Sequence, residues 1–333
     1  MAALALAACA HSAQKVDIRE PMIVTAAPPA LAPLADLDAA TLFDKGTRSF
    51  KDGDFTQAAQ AFDRLWQAFP DSPQAPQALW NAALSYERLA RYDESLRRLT
   101  AYLAVHDEPE AQFHAAYAEY QLHRLDSAVA RLEALRRRSD LKPRLRVEAL
   151  LQEGVCKIES GARVPGEDLV REAVAEAGKL DDPEPALLAE ADFWLGEGER
   201  TGFLAIAIDP SRMDEAKLQE AIETKSRFLL SAEDHYLHAI RRGDGEWATA
   251  AGFRIGEMYE AFYGELVQAP LPNGLTQEQR ALYSQELRAK VRRLVDKAIR
   301  IYEETLQQGG KGAYRAKTQD ALSRLRKLLL ETS

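Results

Sequence analysis

Six histidines occur in the sequence, and only His235 and His238 stand one helical turn apart, with Asp234 beside them. Imidazole nitrogen and carboxylate oxygen both bind zinc, but a structural site takes four protein ligands and a catalytic one about three. Two ligands three residues apart fall short of either, so the pair is read as a half-exposed stretch of helix and no metal is expected. His-Glu-x-x-His is absent. Gly196-Glu197-Gly198-Glu199-Arg200-Thr201-Gly202 has the glycines of a phosphate loop, but the third is wrongly spaced and no strand-to-helix turn holds it. Walker-type loops and Gly-x-Ser-x-Gly are also missing. The many carboxylates fall into no recognisable pair and are read as solvated faces and i,i+4 partners of lysine and arginine. The expectation is therefore no catalytic residue, no cofactor and no enzyme.

Two cysteines cannot form a disulfide framework, and they stand in different settings. Cys156 lies inside the helical run 147–159, where a thiol behaves as a small core group. Cys9 closes the apolar run Ala2–Ala8. Small residues ahead of a cysteine, as in Leu6-Ala7-Ala8-Cys9, look like the bacterial lipobox, after which the thiol is acylated. No Lys or Arg precedes the run, and its length is short for a signal peptide, so residues 1–9 are read as a truncated leader. Residues 10–38 follow with four prolines among Ala, Ser and Asp. Such a segment has too little apolar surface to fold and tends to extended polyproline geometry. At ~3.1 Å per residue it is a tether of at most roughly 90 Å. Ala10 stands where Asp would resemble an inner-membrane retention signal. The expected location is therefore the periplasmic face of the outer membrane, by a lipid on Cys9. No run of eighteen apolar residues exists to span a bilayer.

The body reads as all-α. Ala and Leu are abundant, 29% of residues are charged, and strand-like Val-Thr-Ile alternation is missing. A net charge of −9 argues against nucleic acid, which selects for clustered Lys and Arg. The one basic cluster, Arg136-Arg137-Arg138 with Lys142, Arg144 and Arg146, is read as a solvated helix end and loop.

The helices come in pairs that share a grammar. Gly46, then the turn Asp52-Gly53-Asp54, then Phe55, Ala58, Phe62 and Leu65 define the first; Pro70 ends it. Leu79, Ala83, Tyr86, Tyr92, Ser95, Leu99 and Tyr102 define the second, about 76–109. Phe55 and Tyr92 are 37 positions apart because Pro73-Gln74-Ala75 lengthens the connection. A third pair, about 109–142, keeps Ala116, Tyr120, Leu125, Ala128, Leu132 and Leu135. A fourth, about 147–180, keeps Gly154, Gly161, Val170 and Ala173. Asp181-Asp182-Pro183-Glu184-Pro185 then interrupts the helices. Leu195-Gly196 and Ile255-Gly256, with Tyr259, open two further pairs whose second helices, near 214–242 and 276–308, are unusually long. A loop of Pro270, Pro272, Asn273 and Gly274 serves the last pair, whose apolar face continues through Ala298, Tyr302 and Leu306. After Gly309-Gly310-Lys311-Gly312, a helix over about 314–330 is expected to cap the open end, since the last apolar face of a stack must be covered.

This small-aromatic-small-aromatic-Pro pattern resembles the tetratricopeptide repeat. Residues 40–110, with the linker Phe69-Pro70-Asp71-Ser72-Pro73-Gln74-Ala75-Pro76-Gln77-Ala78-Leu79, are similar to the BamD-like outer-membrane assembly lipoproteins and the Tol–Pal coordinator family. The resemblance implies a helical-hairpin solenoid, repeats one to four over 39–180, and long-helix hairpins with a cap over 186–333. It also implies a concave groove lined by first-helix positions that do not pack internally. Here these are Phe43, Thr47 and Phe50; Trp80, Leu84 and Glu87; and Phe113, Tyr117 and Tyr120. An aromatic stripe of this kind is an interface anchor, or else core against the next hairpin. The Lys/Asn clamp for a C-terminal carboxylate is not evident, and Asn81 falls at a structural position. What the resemblance implies is a scaffold lipoprotein binding protein partners of an envelope machine: barrel assembly, Tol–Pal linkage, gliding or pili. The alternatives are a pilotin or chaperone that binds a secretin or exported client, and a periplasmic enzyme or ligand-binding module in the long-helix half.

Overall fold

The computed structural model describes residues 34, 37–269, 271, 274–307 and 313–331, with side chains up to Lys327. Thirteen α-helices and no strand occur among them. The chain divides into two compact units, residues 1–156 and 157–333, and the division falls inside α7, well ahead of the Asp181–Pro185 interruption.

The first unit holds α1 (Ala39–Lys51), α2 (Phe55–Ala68), α3 (Ala75–Arg88), α4 (Tyr92–Leu103), α5 (Pro109–Gln121), α6 (Leu125–Arg136) and most of α7 (Pro143–Glu159). Helix starts follow from local chemistry. Asp38 and Asp54 accept from the backbone N–H of Thr41 and Gln57 at 2.8 and 2.9 Å, satisfying donors that the first turn leaves open. Pro76 and Pro109 occupy first-turn positions, where their missing N–H costs nothing. Each first helix gives its small residue to the crossing with its partner. A methyl built on Gly46 would lie 2.7 Å from Cε1 of Phe62, so glycine is required for that ring to seat. Leu42, Ala58, Phe62 and Leu65 are fully buried around it, and the same layer is repeated by Ala83 and Leu99, then by Ala116, Ala128 and Leu132. Leu34 and Leu37, at the end of the expected tether, pack against the cluster of Leu42, Phe43 and Phe62. The body thus begins before Ala39. The fourth pair also starts earlier than expected, at Pro143.

The turns inside the hairpins share one conformation. Gly53, Ala90, His123 and Gly161 follow the first helices and all have positive φ, at 81°, 55°, 56° and 90°. Glycine adopts this region freely, whereas alanine and histidine are strained there.

The second unit contains the end of α7, α8 (Arg163–Ala177), α9 (Pro185–Ala205), α10 (Glu215–Arg241), α11 (Gly245–Gln268), α12 (Gln277–Gln307) and α13 (Ala313–Glu331). The long helices keep the short helices' register. Ala232, Tyr236 and Ala239, and again Ala298, Tyr302 and Thr305, reproduce the spacing of Ala58, Phe62 and Leu65 and are buried in the same way. Their rings enter at Gly196 and Gly256, where a methyl would lie 2.5 and 2.2 Å from Cε1 of Tyr236 and Tyr302. The added turns precede these triads. Buried Lys225 secures those of α10, donating 2.7 Å to the Ile206 carbonyl and pairing with Glu265 at 2.7 Å. Its ammonium also lies 4.2 Å from the centre of the Phe203 ring. α13 packs on α12 and α11 and buries Thr318, Ala321, Leu322 and Leu325.

Candidate functional site

The residues singled out on the first helices lie on α1, α3 and α5, all within the first unit. They separate by burial. Phe43, Thr47, Phe113 and Tyr120 are buried, whereas Phe50, Trp80, Leu84, Glu87 and Tyr117 are half-exposed. The buried members belong to the packing. Phe43 meets Phe62 edge-on at 5.8 Å within the first hairpin. The Thr47 hydroxyl is buried without a hydrogen-bond partner among the described residues, a cost that packing must offset.

Among the half-exposed members, ring contacts link the second and third hairpins. Trp80 packs on Tyr102 at 5.8 Å and edge-on to the His114 imidazole at 5.1 Å. Tyr117 contacts Tyr92 at 6.1 Å and Tyr120 at 6.4 Å. Phe50 meets Phe55 at 5.1 Å. Beneath this layer His114 Nδ1 lies 2.9 Å from Glu87 Oε2, and the Ser95 hydroxyl donates to Glu87 Oε1 at 3.2 Å. Burial raises the Tyr92 phenol above its ordinary value, a hydrogen bond from Tyr117 opposes it, and the Glu87 carboxylate adds to the rise. The arrangement sets broad aromatic edges over a polar cluster of Glu87, His114 and Ser95. Such a surface can grip an apolar segment and orient it through few polar contacts.

Sequence spacing did not show His114, which pairs with a residue of the preceding hairpin rather than of its own helix. It also missed the bridges beside the face. Arg98 reaches Asp63 at 2.8 and 2.6 Å, and Arg131 reaches Glu119 at 3.0 and 2.8 Å. Arginines at the same place in two second helices, seven residues past Arg91 and Arg124, were the available signal.

Other sequence candidates resolve differently. The basic cluster is not a bare solvated end. Arg136 pairs with buried Glu153, Arg138 with Asp107 and Asp140, Lys142 with Glu110, and Arg144 with Glu148. His238 lies 3.8 Å from Asp234, and burial lowers the affinity of His235 for a proton. Among the described residues, no group of three or more His, Cys, Asp and Glu is placed to hold a metal. Cys156 is buried, with Gln152 Nε2 at 3.8 Å from its sulfur. No described helix is long and apolar enough to cross a membrane. Cys9 and its lipobox lie outside the described residues.

No protein-family model matches the sequence, and no curated protein matches it. Solved structures do resemble it. The apo form of RapI aligns with 89% of this chain and 100% of its own, at a TM-score of 0.52 and 12% identity. A chain of the APC/C hetero-tetramer Cut9–Hcn1 aligns with 86% of this chain and 42% of its own, at a TM-score of 0.53 and 14% identity. A tetratricopeptide repeat protein from Parabacteroides merdae covers 86% of this chain and 98% of its own, at a TM-score of 0.43 and 15% identity. The fold is all-α and of the tetratricopeptide repeat type. At these identities the likeness concerns the fold alone, and a repeat fold hosts many functions.

Proposed function

We propose that this chain is a non-enzymatic scaffold that captures segments of protein partners on the face built by α1, α3 and α5. A lipid on Cys9 would hold it at the periplasmic side of the outer membrane. The observation that carries the binding reading is the half-exposed set Phe50, Trp80, Leu84 and Tyr117 on α1, α3 and α5, with Trp80 edge-on to His114 and Tyr117 against Tyr92 across the second and third hairpins. Aromatic groups held this way lose little side-chain entropy on binding, which is why they dominate interface energies. Membrane attachment rests on Leu6-Ala7-Ala8-Cys9 and the proline-rich run after it. Together these support a structural part in an envelope machine, of the barrel-assembly, Tol–Pal, gliding or pilus kind.

Crosslinking in intact cells followed by mass spectrometry tests the reading. Trp80→Ala with Tyr117→Ala should lose the crosslinked partners while the helical circular dichroism signal is retained. Because Trp80 also packs on Tyr102 and His114, the half-exposed Leu84→Asn supplies a second variant with little effect on folding. Retention of the same partners by both variants would overturn the groove. Cys9→Ser should move the protein from the membrane to the soluble fraction, and unchanged fractionation would overturn the anchor.

A further inference from the structure

The sequence ahead of α1 changes character at Pro21. Lys15, Asp17, Arg19 and Glu20 precede it, whereas residues 21–33, Pro-Met-Ile-Val-Thr-Ala-Ala-Pro-Pro-Ala-Leu-Ala-Pro, carry no charge. A spacer that serves only for reach is kept in water by polar residues, and Met22-Ile23-Val24 and Leu31 do not suit that role. Pro21, Pro28, Pro29 and Pro33 bias this stretch to the polyproline II helix. Aromatic-lined grooves bind that helix at little cost in entropy, because its shape is already set.

Aromatic groups stand where this stretch joins the body. Leu34 and Leu37 pack against the cluster of Leu42, Phe43, Phe62, Ala78 and Ala82, and Phe50 packs against the same cluster. The C-terminal end of the stretch is thus fixed beside the first aromatic of the face. Trp80 and Leu84 on α3 and Tyr117 on α5 follow, all half-exposed. From α1 to α5 each helix packs on the next. Four such steps of about 8–10 Å make the face at most about 40 Å long. Residues 21–33 in polyproline II geometry, at ~3.1 Å each, span about the same distance.

We infer that residues 21–33 dock on the α1, α3 and α5 face of their own chain and are displaced when a partner segment binds. This docking rests on the partner-binding reading of that face. Joined to the body at Leu34, the stretch meets the face at an effective concentration on the order of millimolar, which weak apolar contacts are enough to exploit. A foreign proline-rich segment or that of a second copy meets the same rings without the gain from that covalent link. A partner must therefore outcompete the chain itself, and its capture frees the stretch to lengthen the tether.

A photo-crosslinker tests it, in the full chain carrying Cys9→Ser so that no acyl chain contributes. With p-benzoylphenylalanine placed at Ala27, irradiation of the dilute protein should give crosslinks within one chain, mapped by peptide mass spectrometry to α1, α3 and α5. Leu84→Asn should lower their yield roughly fivefold, and so should Met22→Ser combined with Ile23→Ser, Val24→Ser and Leu31→Ser. The four serine substitutions lie ahead of the packed helices, so helical circular dichroism should be unchanged. Crosslinks confined to other surfaces, crosslinks only between chains, or a yield indifferent to both variants would each overturn the inference. Partner capture in intact cells separates it from the reading beneath it. If the serine variant captures more of the partners that Trp80→Ala with Tyr117→Ala loses, both stand. If those partners are lost but no crosslink forms within a chain, only the self-docking falls. If the crosslinks form but the groove variants keep every partner, only the partner reading falls.

Discussion

The phenol of Tyr86 donates to Asp63 Oδ2 across 2.7 Å, and Arg98 holds the same carboxylate from the next helix. The latch ties α2, α3 and α4 together. It recurs in the second unit, where Tyr259 donates 2.7 Å to Glu233 and Lys297 reaches both. Burial, then the Asp63 carboxylate, pushes the Tyr86 phenol up to about 12. In an unfolded chain it titrates near about 10. The folded state keeps its proton longer, so the stabilisation is fully present below that unfolded value and is lost as pH climbs towards the folded one. Tyr86→Phe is expected to cost about 1–2 kcal/mol at neutral pH. Urea unfolding of both proteins should show this gap narrowing between about pH 10 and about pH 12. A constant gap across that window would mean that the phenol's proton contributes nothing.

Gly256 and Tyr302 offer a test of packing. The Tyr302 ring is fully buried, so it cannot swing away from a methyl placed 2.2 Å from it. Gly256→Ala gains about 1 kcal/mol of helix propensity but overpacks the crossing, and the net loss should be about 1–2 kcal/mol. Gly264, on the same helix, has only the end of Gln268 within 4 Å, at 3.9 Å. Gly264→Ala should therefore raise the midpoint of thermal unfolding where Gly256→Ala lowers it. Opposite signs on one helix separate crossing geometry from propensity.

A third expectation concerns the hairpin turns. Ala90 and His123 adopt φ values of 55° and 56°. A side chain there costs roughly 1–2 kcal/mol, and glycine removes that strain at some expense in unfolded-state entropy. Ala90→Gly and His123→Gly should each stabilise the protein by about 0.5 kcal/mol, readable as a higher urea midpoint with an unchanged slope. Gly53→Ala, at φ 81° with open space around it, should destabilise for the converse reason.

Much of this architecture was legible because it is written in periodic residues. Gly46, Ala83, Gly196 and Gly256 mark helix crossings by size alone, and the long second helices follow from the apolar stripe through Ala298 and Tyr302. The strained turns were not legible, since nothing about alanine or histidine announces a positive φ that tertiary packing imposes. The aromatic face was half legible. Helical spacing gathered its members on α1, α3 and α5, but spacing within a helix cannot say that Phe43 closes on Phe62 while Trp80 stays half-open. Contacts between hairpins were hidden for the same reason: Glu87 and His114 are 27 residues apart. So were the carboxylates of Asp107, Glu110 and Glu153, which pair with Arg138, Lys142 and Arg136 of a basic run that looks bare in isolation.

The last of those pairs gives the sharpest energetic expectation. Glu153 has no exposed side-chain surface, while the Arg136 side chain that meets its carboxylate is 25% exposed. Removing a cation from a buried carboxylate leaves charge in a medium that solvates it poorly, which typically costs about 3–5 kcal/mol when both groups are buried. With Arg136 partly open to water, Arg136→Leu should cost about 2–3 kcal/mol. Adding Glu153→Gln, which removes the buried charge but keeps its shape, should restore most of that loss. Guanidinium unfolding of the two single variants and the double variant closes the cycle. If the double variant is as unstable as the two single losses added together, the arginine acts through packing of its stem, and the buried charge is not what it compensates.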